Sequence, residues 1–116
     1  MMGEVVKVII DRPLGSSHPI HKDIIYPINY GYIEGIFAFD KKEQDAYILG
    51  VSESIKEFTG AVIDIVVRHN DVESKWVVAP VGMNFSKVEI SDMIWFQEQF
   101  FESEIILTID SFHPIM

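Results

Sequence analysis

Cysteine is absent from the 116 residues, so neither a disulfide framework nor a thiolate metal site exists, and any metal must be held by oxygen or imidazole. Basic residues are scarce, with 9 Lys and Arg against 18 Asp and Glu and a net charge of −9. No basic stripe is present to displace counterions from a nucleic-acid backbone, so no nucleic-acid partner is expected. Long apolar runs are missing too, and the opening Met1-Met2-Gly3-Glu4 has no basic stretch followed by an apolar one. Neither a secretion signal nor a membrane span is expected, and the chain reads as cytoplasmic. Internal repeats and low-complexity segments are also lacking. What is present is 48% hydrophobic and 23% charged, an ordinary globular balance at a length that suits one domain over residues 1–116.

The stretch that organises the chain is Phe39-Asp40-Lys41-Lys42-Glu43-Gln44-Asp45-Ala46-Tyr47-Ile48-Leu49. Asp45 opens an apolar run that reads as a buried strand, and Asp40 sits in the charged turn leading into it. Both carboxylates therefore converge on one mouth beside the strand, a setting that suits a hard cation; the alternative is a solvated polar turn. An acidic body repels a bare polyphosphate, but a carboxylate cluster carrying divalent cations attracts one, so the charge balance favours metal dependence over lysines alone.

Val- and Ile-rich residues from Glu4 to Ile10 predict a first strand, stopped at Asp11-Arg12-Pro13. Residues 14–23 form a long polar connection that carries His18 and His21, three apart. That spacing admits a zinc pair, but no further ligand stands nearby, and a solvated loop with phosphate contacts is the preferred reading. Asn29-Tyr30-Gly31-Tyr32 reads as a turn after Pro27, leading into Ile33. A short strand is expected over 47–51, a polar turn segment over 52–60, and a strand over 61–68 paired with one over 75–79. Ser86-Lys87-Val88-Glu89 has the form of a capping box, and Ile90, Met93, Ile94, Phe96, Phe100 and Phe101 follow at helical spacing as a core-packing stripe. Residues 104–109 read as a strand or an ordered tail. Several strands and then one helix predict a small barrel or curled sheet with a helix packed outside it.

Together these segments resemble the soluble family I inorganic pyrophosphatases. Val8-Ile9-Ile10-Asp11-Arg12-Pro13 is similar to the family's strand ending in an acidic residue before proline, and Tyr26-Pro27-Ile28-Asn29-Tyr30-Gly31-Tyr32-Ile33 to its Y-P-x-N-Y-G-[FY]-I signature. Asp40 to Asp45 falls on the D-x-D-P-x-D metal motif. Val62-Ile63-Asp64-Ile65 and Lys75-Trp76-Val77-Val78-Ala79-Pro80 fall on V-I-R-[VC] and K-L-[IV]-A-V-P. The resemblance implies a short, divergent member, mainly β with α, built on a barrel of about five strands with one C-terminal helix outside.

It further implies hydrolysis of pyrophosphate to phosphate by a water activated on Mg²⁺, or Mn²⁺ in its place. By the resemblance, Asp40, Asp45, Asp71, Glu73 and Asp11 are metal ligands. Lys75, Tyr30 and Arg12 bind substrate, and Asp40, Asp45 and Tyr30 are the catalytic set. The expected partner is pyrophosphate or a related phosphate compound, with no membrane, and a homo-oligomer stays open. The chain departs from the pattern in several places: the loop before Lys75 is shortened, and after the helix there is no tyrosine and lysine pair to contact phosphate. Lys42 stands where the motif has its central aspartate, Glu43 replaces the proline, and the loop 14–23 replaces the basic hairpin. These departures support the alternative of a degenerate member that binds a phosphorylated ligand or a protein partner without turnover.

Overall fold

The computed structural model describes residues 3–69 and 74–107. Its elements run β1 (Val5–Arg12), β2 (Asn29–Phe37), β3 (Glu43–Ile48), β4 (Glu57–Arg68), β5 (Ser74–Ala79), α1 (Lys87–Glu98) and β6 (Ser103–Leu107). The strands hydrogen-bond in the order β1-β2-β3-β5-β4, and β4 returns to β1, which closes a five-stranded barrel. β4 has 12 residues and serves two neighbours in turn: Glu57 to Ala61 pairs with β1, and Asp64 to Arg68 pairs with β6. β3 and β5 are parallel, and every other named pair is antiparallel.

Two-residue alternation divides the side chains between the inside and the outside of this barrel. Val6, Val8, Ile10, Ile33, Ala46, Ile48, Val62 and Val78 come from all five strands and form the inner core. The opposite positions Tyr30, Tyr47, Val66 and Val77 face outward, and Ile90 and Ile94 of α1 cover them in a second core. β1 and β2 approach closely at Gly31, where a Cβ would lie 1.9 Å from the Ile9 carbonyl oxygen, so no other residue fits there without a shift of backbone.

The capping box forms as the sequence predicts. Ser86 Oγ accepts the Glu89 N–H at 3.1 Å, and Glu89 Oε1 accepts the Ser86 N–H at 2.7 Å. Three boundaries differ from expectation. Asn29 to Tyr32 is the start of β2 rather than a turn, because Pro27 precedes the strand and leaves its ladder intact. The strand expected from Tyr47 begins at Glu43, and β4 begins at Glu57 inside the segment expected to be polar turn, since pairing with β1 supplies what local propensity does not. Residues 103–107 take the strand alternative. The tail beyond lies outside the described residues. Among the described residues no helix is long and apolar enough to cross a membrane.

Candidate functional site

The outer face of the barrel, near the C-terminal end of α1, gathers the polar groups. The parallel register that sets Ala46 beside Trp76 sets Asp45 beside Lys75, and Tyr30 lies opposite Tyr47 on the far side of β3. Lys75 Nζ donates to Asp45 Oδ2 at 2.6 Å and to Tyr30 Oη at 2.8 Å. The Lys75 side chain is 5% exposed and that of Asp45 37%, so an ammonium held almost wholly inside meets a carboxylate at the rim. A buried charge is retained only with such a partner. Burial, above all, raises the Tyr30 pKa, against the opposing pull of the Lys75 charge, so the phenol keeps its proton.

Arg12 reaches the same region through a bulge. Ile10 pairs with Gly31 and Arg12 with Tyr30, which leaves Asp11 as the extra residue on β1. The Arg12 guanidinium donates to Tyr26 Oη at 2.7 Å and lies 5.3 Å from the Tyr30 ring centroid. Asp11 is exposed, yet the surrounding protein raises its carboxyl pKa, desolvation outweighing the charge of Arg12.

The end of α1 ties these groups together. Tyr26 donates to Gln97 Oε1 at 2.8 Å, Gln97 Nε2 donates to Tyr47 Oη at 2.8 Å, and Tyr47 donates to Glu98 Oε2 at 2.5 Å. Arg68 closes the chain with Nε and Nη2 on the two Glu98 oxygens at 3.1 and 2.7 Å, and its guanidinium lies 3.6 Å from the Phe101 ring centroid. A continuous run of hydrogen bonds thus joins Arg12 to Arg68 through two tyrosines and the helix terminus. Sequence reasoning assigned no role to Gln97, Glu98 or Arg68. The available signal was Ile90, Ile94 and Glu98 at intervals of four, which puts a charged residue on the buried stripe of the helix.

A cavity of about 350 Å³ opens between this network and the loop 14–23, with Arg12, His18, Tyr30, Arg68, Lys75 and Gln97 in its wall. A groove of about 530 Å³ between α1 and β6 is larger, but Tyr30, Lys75 and Asp45 are not in its wall, so the chemistry belongs to the smaller space. Asp45 links the cavity to a cleft of about 170 Å³ lined also by Asp40, Lys42, Glu43 and Ser74. Asp40 and Asp45 therefore share one mouth. Within it Asp40 Oδ1 accepts the Lys42 N–H at 3.0 Å and Glu43 Oε2 accepts the Gly35 N–H at 3.2 Å.

The fit to a divalent ion is partial. Oxygen-only donors suit a hard cation, but among the described residues no three His, Asp or Glu side chains are arranged to hold a metal. Asp45 is bonded by an ammonium, and Lys42 lines the same cleft. Asp71 and Glu73, the other two acids expected to join them, lie outside the described residues.

No family model matches the chain, and no curated protein matches it by sequence. Solved structures do match in shape. An inorganic pyrophosphatase from Ehrlichia chaffeensis is similar with a TM-score of 0.71 and 15% identity over 96% of this chain and 90% of its own. One from Coxiella burnetii is similar with a TM-score of 0.66 and 14% identity over 92% and 86%. One from Neisseria gonorrhoeae gives 0.59 and 19% over 81% and 72%. Barrel closure, helix position and these likenesses together identify the fold of this chain as that of the inorganic pyrophosphatases.

Proposed function

We propose that the protein takes inorganic pyrophosphate, or a compound carrying the same diphosphate group, into the cavity beside Tyr30 and Lys75 and hydrolyses its phosphoanhydride bond. The observation that carries this reading is the convergence of Lys75 and Tyr30, at 2.8 Å, with Arg12 over the Tyr30 ring in a protein of net charge −9. Cations concentrated in one recess of an acidic body mark a place built for an anion. Arg12 and Lys75 supply charge. Tyr30 supplies direction, because its oxygen accepts from Lys75 and its retained proton is then available to a phosphate oxygen. The described residues bind and orient a diphosphate in this way. They do not complete a divalent-ion site, so no step is assigned to an ion.

A second reading, binding without turnover, is favoured by one feature. The Asp45 carboxylate is bonded to Lys75, and Lys42 adds a cation to the adjoining cleft, both of which oppose a metal there. One experiment separates the two. Phosphate release from pyrophosphate is measured with Mg²⁺, with Mn²⁺ and with chelator, next to calorimetric titration of pyrophosphate into the protein. Release above the chelator control supports hydrolysis, and binding without release supports the second reading. Neither binding nor release would sink both.

A further inference from the structure

Backbone hydrogen bonds join the start of the loop 14–23 to the residues that follow it. Gly15 N–H donates to the Tyr26 carbonyl at 2.8 Å, and Tyr26 N–H donates to the Ser16 carbonyl at 2.9 Å. His18 N–H donates to the Ile24 carbonyl and Ile24 N–H to the His21 carbonyl, each at 2.9 Å. Ser17 and Ile25 form an isolated antiparallel bridge between these bonds. Leu14 N–H is anchored on the buried Asn29 Oδ1 at 2.9 Å. The imidazole of His18 is therefore carried on a hydrogen-bonded backbone, and its ring stacks on Tyr26 at 6.2 Å with 8° between planes.

His18 Nδ1 lies 3.1 Å from the backbone N of both Ile20 and His21. Two N–H donors directed at one ring nitrogen require that nitrogen to be an acceptor, so the ring proton resides on Nε2. Nδ1 is turned to the loop, and His18 lines the cavity, which leaves the Nε2 end of the ring for an occupant. We propose that His18 is a ligand-binding residue of this cavity, held by its own loop as a neutral imidazole whose Nε2–H donates to an anionic oxygen of the bound diphosphate. This inference rests on the function proposed above and names a residue that reading does not use.

The electrostatic surroundings agree with the geometry. Burial, first, and then the charges of Arg12 and of His21 hold the His18 pKa below its ordinary value. A neutral donor adds direction where Arg12 and Lys75 already supply charge, and it does so without a further cation to repel them. Zinc ligation by His18 and His21 would need a third protein ligand, and no such group forms among the described residues.

The test uses the full chain and His18→Asn. An asparagine Oδ1 takes the place of Nδ1 and accepts the same two backbone N–H groups, while the distal Nε2–H is lost. The expected result is an unchanged melting temperature with a pyrophosphate Kd raised about tenfold, the loss of one hydrogen bond to a charged oxygen. His18→Ala, which loses both functions, is expected to lower the melting temperature as well. Wild-type and Asn variants that bind pyrophosphate equally would overturn the role of His18 and leave the proposed function intact. A wild-type protein that binds neither pyrophosphate nor orthophosphate would overturn both. Should the Asn variant fail to fold, ¹⁵N spectra of the unaltered protein decide. The Nε2–H signal of His18 should shift on saturation with pyrophosphate, and a signal that stays in place refutes the contact.

Discussion

Lys75 and Asp45 meet at 2.6 Å across neighbouring parallel strands, and the more deeply buried member is the cation. The pair lowers the positive charge of the cavity, because the carboxylate offsets part of the ammonium at its wall. Asp45→Asn should lower stability by about 2 kcal/mol, less than for a wholly buried pair because Asp45 is partly exposed. Urea denaturation checks this. With chelator present, the same substitution should tighten pyrophosphate binding several-fold, since one negative charge beside the Lys75 ammonium is removed. If binding instead weakens in chelator, Asp45 does not act as a brake on the ammonium.

The terminus of α1 should matter more to stability than its length suggests. Glu98 accepts from Arg68 and Tyr47, and both Arg68 and Glu98 are buried. Removing one member of a buried pair costs about 3–5 kcal/mol, so Glu98→Ala should unfold far more readily than a surface helix variant such as Asp92→Ala. The double replacement Arg68→Met with Glu98→Leu should recover part of that loss, because the buried charge and its partner disappear together. A double variant no more stable than Glu98→Ala would show that Arg68 is held mainly by other contacts.

Much of the fold was legible because it follows from period and punctuation. The alternation Val6, Val8, Ile10 predicts β1, and the Ser86 to Glu89 box followed by Ile90 and Ile94 predicts α1. The tyrosine signature directed attention to Tyr30, and its pairing with Lys75 needed only the strand register. The β2 boundary was not legible, since Asn29, Tyr30 and Gly31 are turn residues locally and become strand through pairing with β1 and β3. Nor was the network around Gln97 and Glu98 legible. It joins residues up to 71 positions apart, and no local pattern distinguishes a glutamate that bonds a buried arginine from one that faces water. Asp40 and Asp45 do share a cleft as expected, but no local pattern signals that Lys75, on another strand, binds one of them.

Alkaline pH provides a separate test of the tyrosine network. Burial, first, raises the pKa of Tyr30, Tyr47 and Tyr26 above the ordinary phenol value of 10.0, and for Tyr47 the adjacent Glu98 carboxylate adds to it. A phenol whose folded pKa is raised keeps its proton in the native state after the unfolded chain has lost it. Its contribution is whole below pH 10 and is lost as pH rises through the folded value. Each such tyrosine should add a decline of up to about 1.4 kcal/mol per pH unit from about pH 10 up to its own raised value. Urea melts from neutral into this range should show the decline, and Tyr47→Phe should flatten it. A slope unchanged by Tyr47→Phe would remove Tyr47 from the linkage.

Lys42 offers the most direct test of what the acidic cleft is for. It stands between Asp40 and Asp45 in sequence and lines the same space of about 170 Å³, where its charge opposes a divalent ion. Lys42→Asp removes one positive charge and adds one negative charge, and it supplies another carboxylate oxygen beside Asp40, Glu43 and Asp45. Carboxylates brought together repel until a cation joins them, so the variant should be less stable in chelator and gain more from Mg²⁺ than the parent does. A rise in melting temperature of several degrees between chelator and millimolar Mg²⁺ is expected for Lys42→Asp, with a smaller rise or none for the parent. If hydrolysis of pyrophosphate is limited by the cation at this position, phosphate release in Mg²⁺ should rise in step. A Lys42→Asp protein that folds, shows no Mg²⁺-dependent shift and releases no phosphate would count against a metal mouth here and favour binding without turnover.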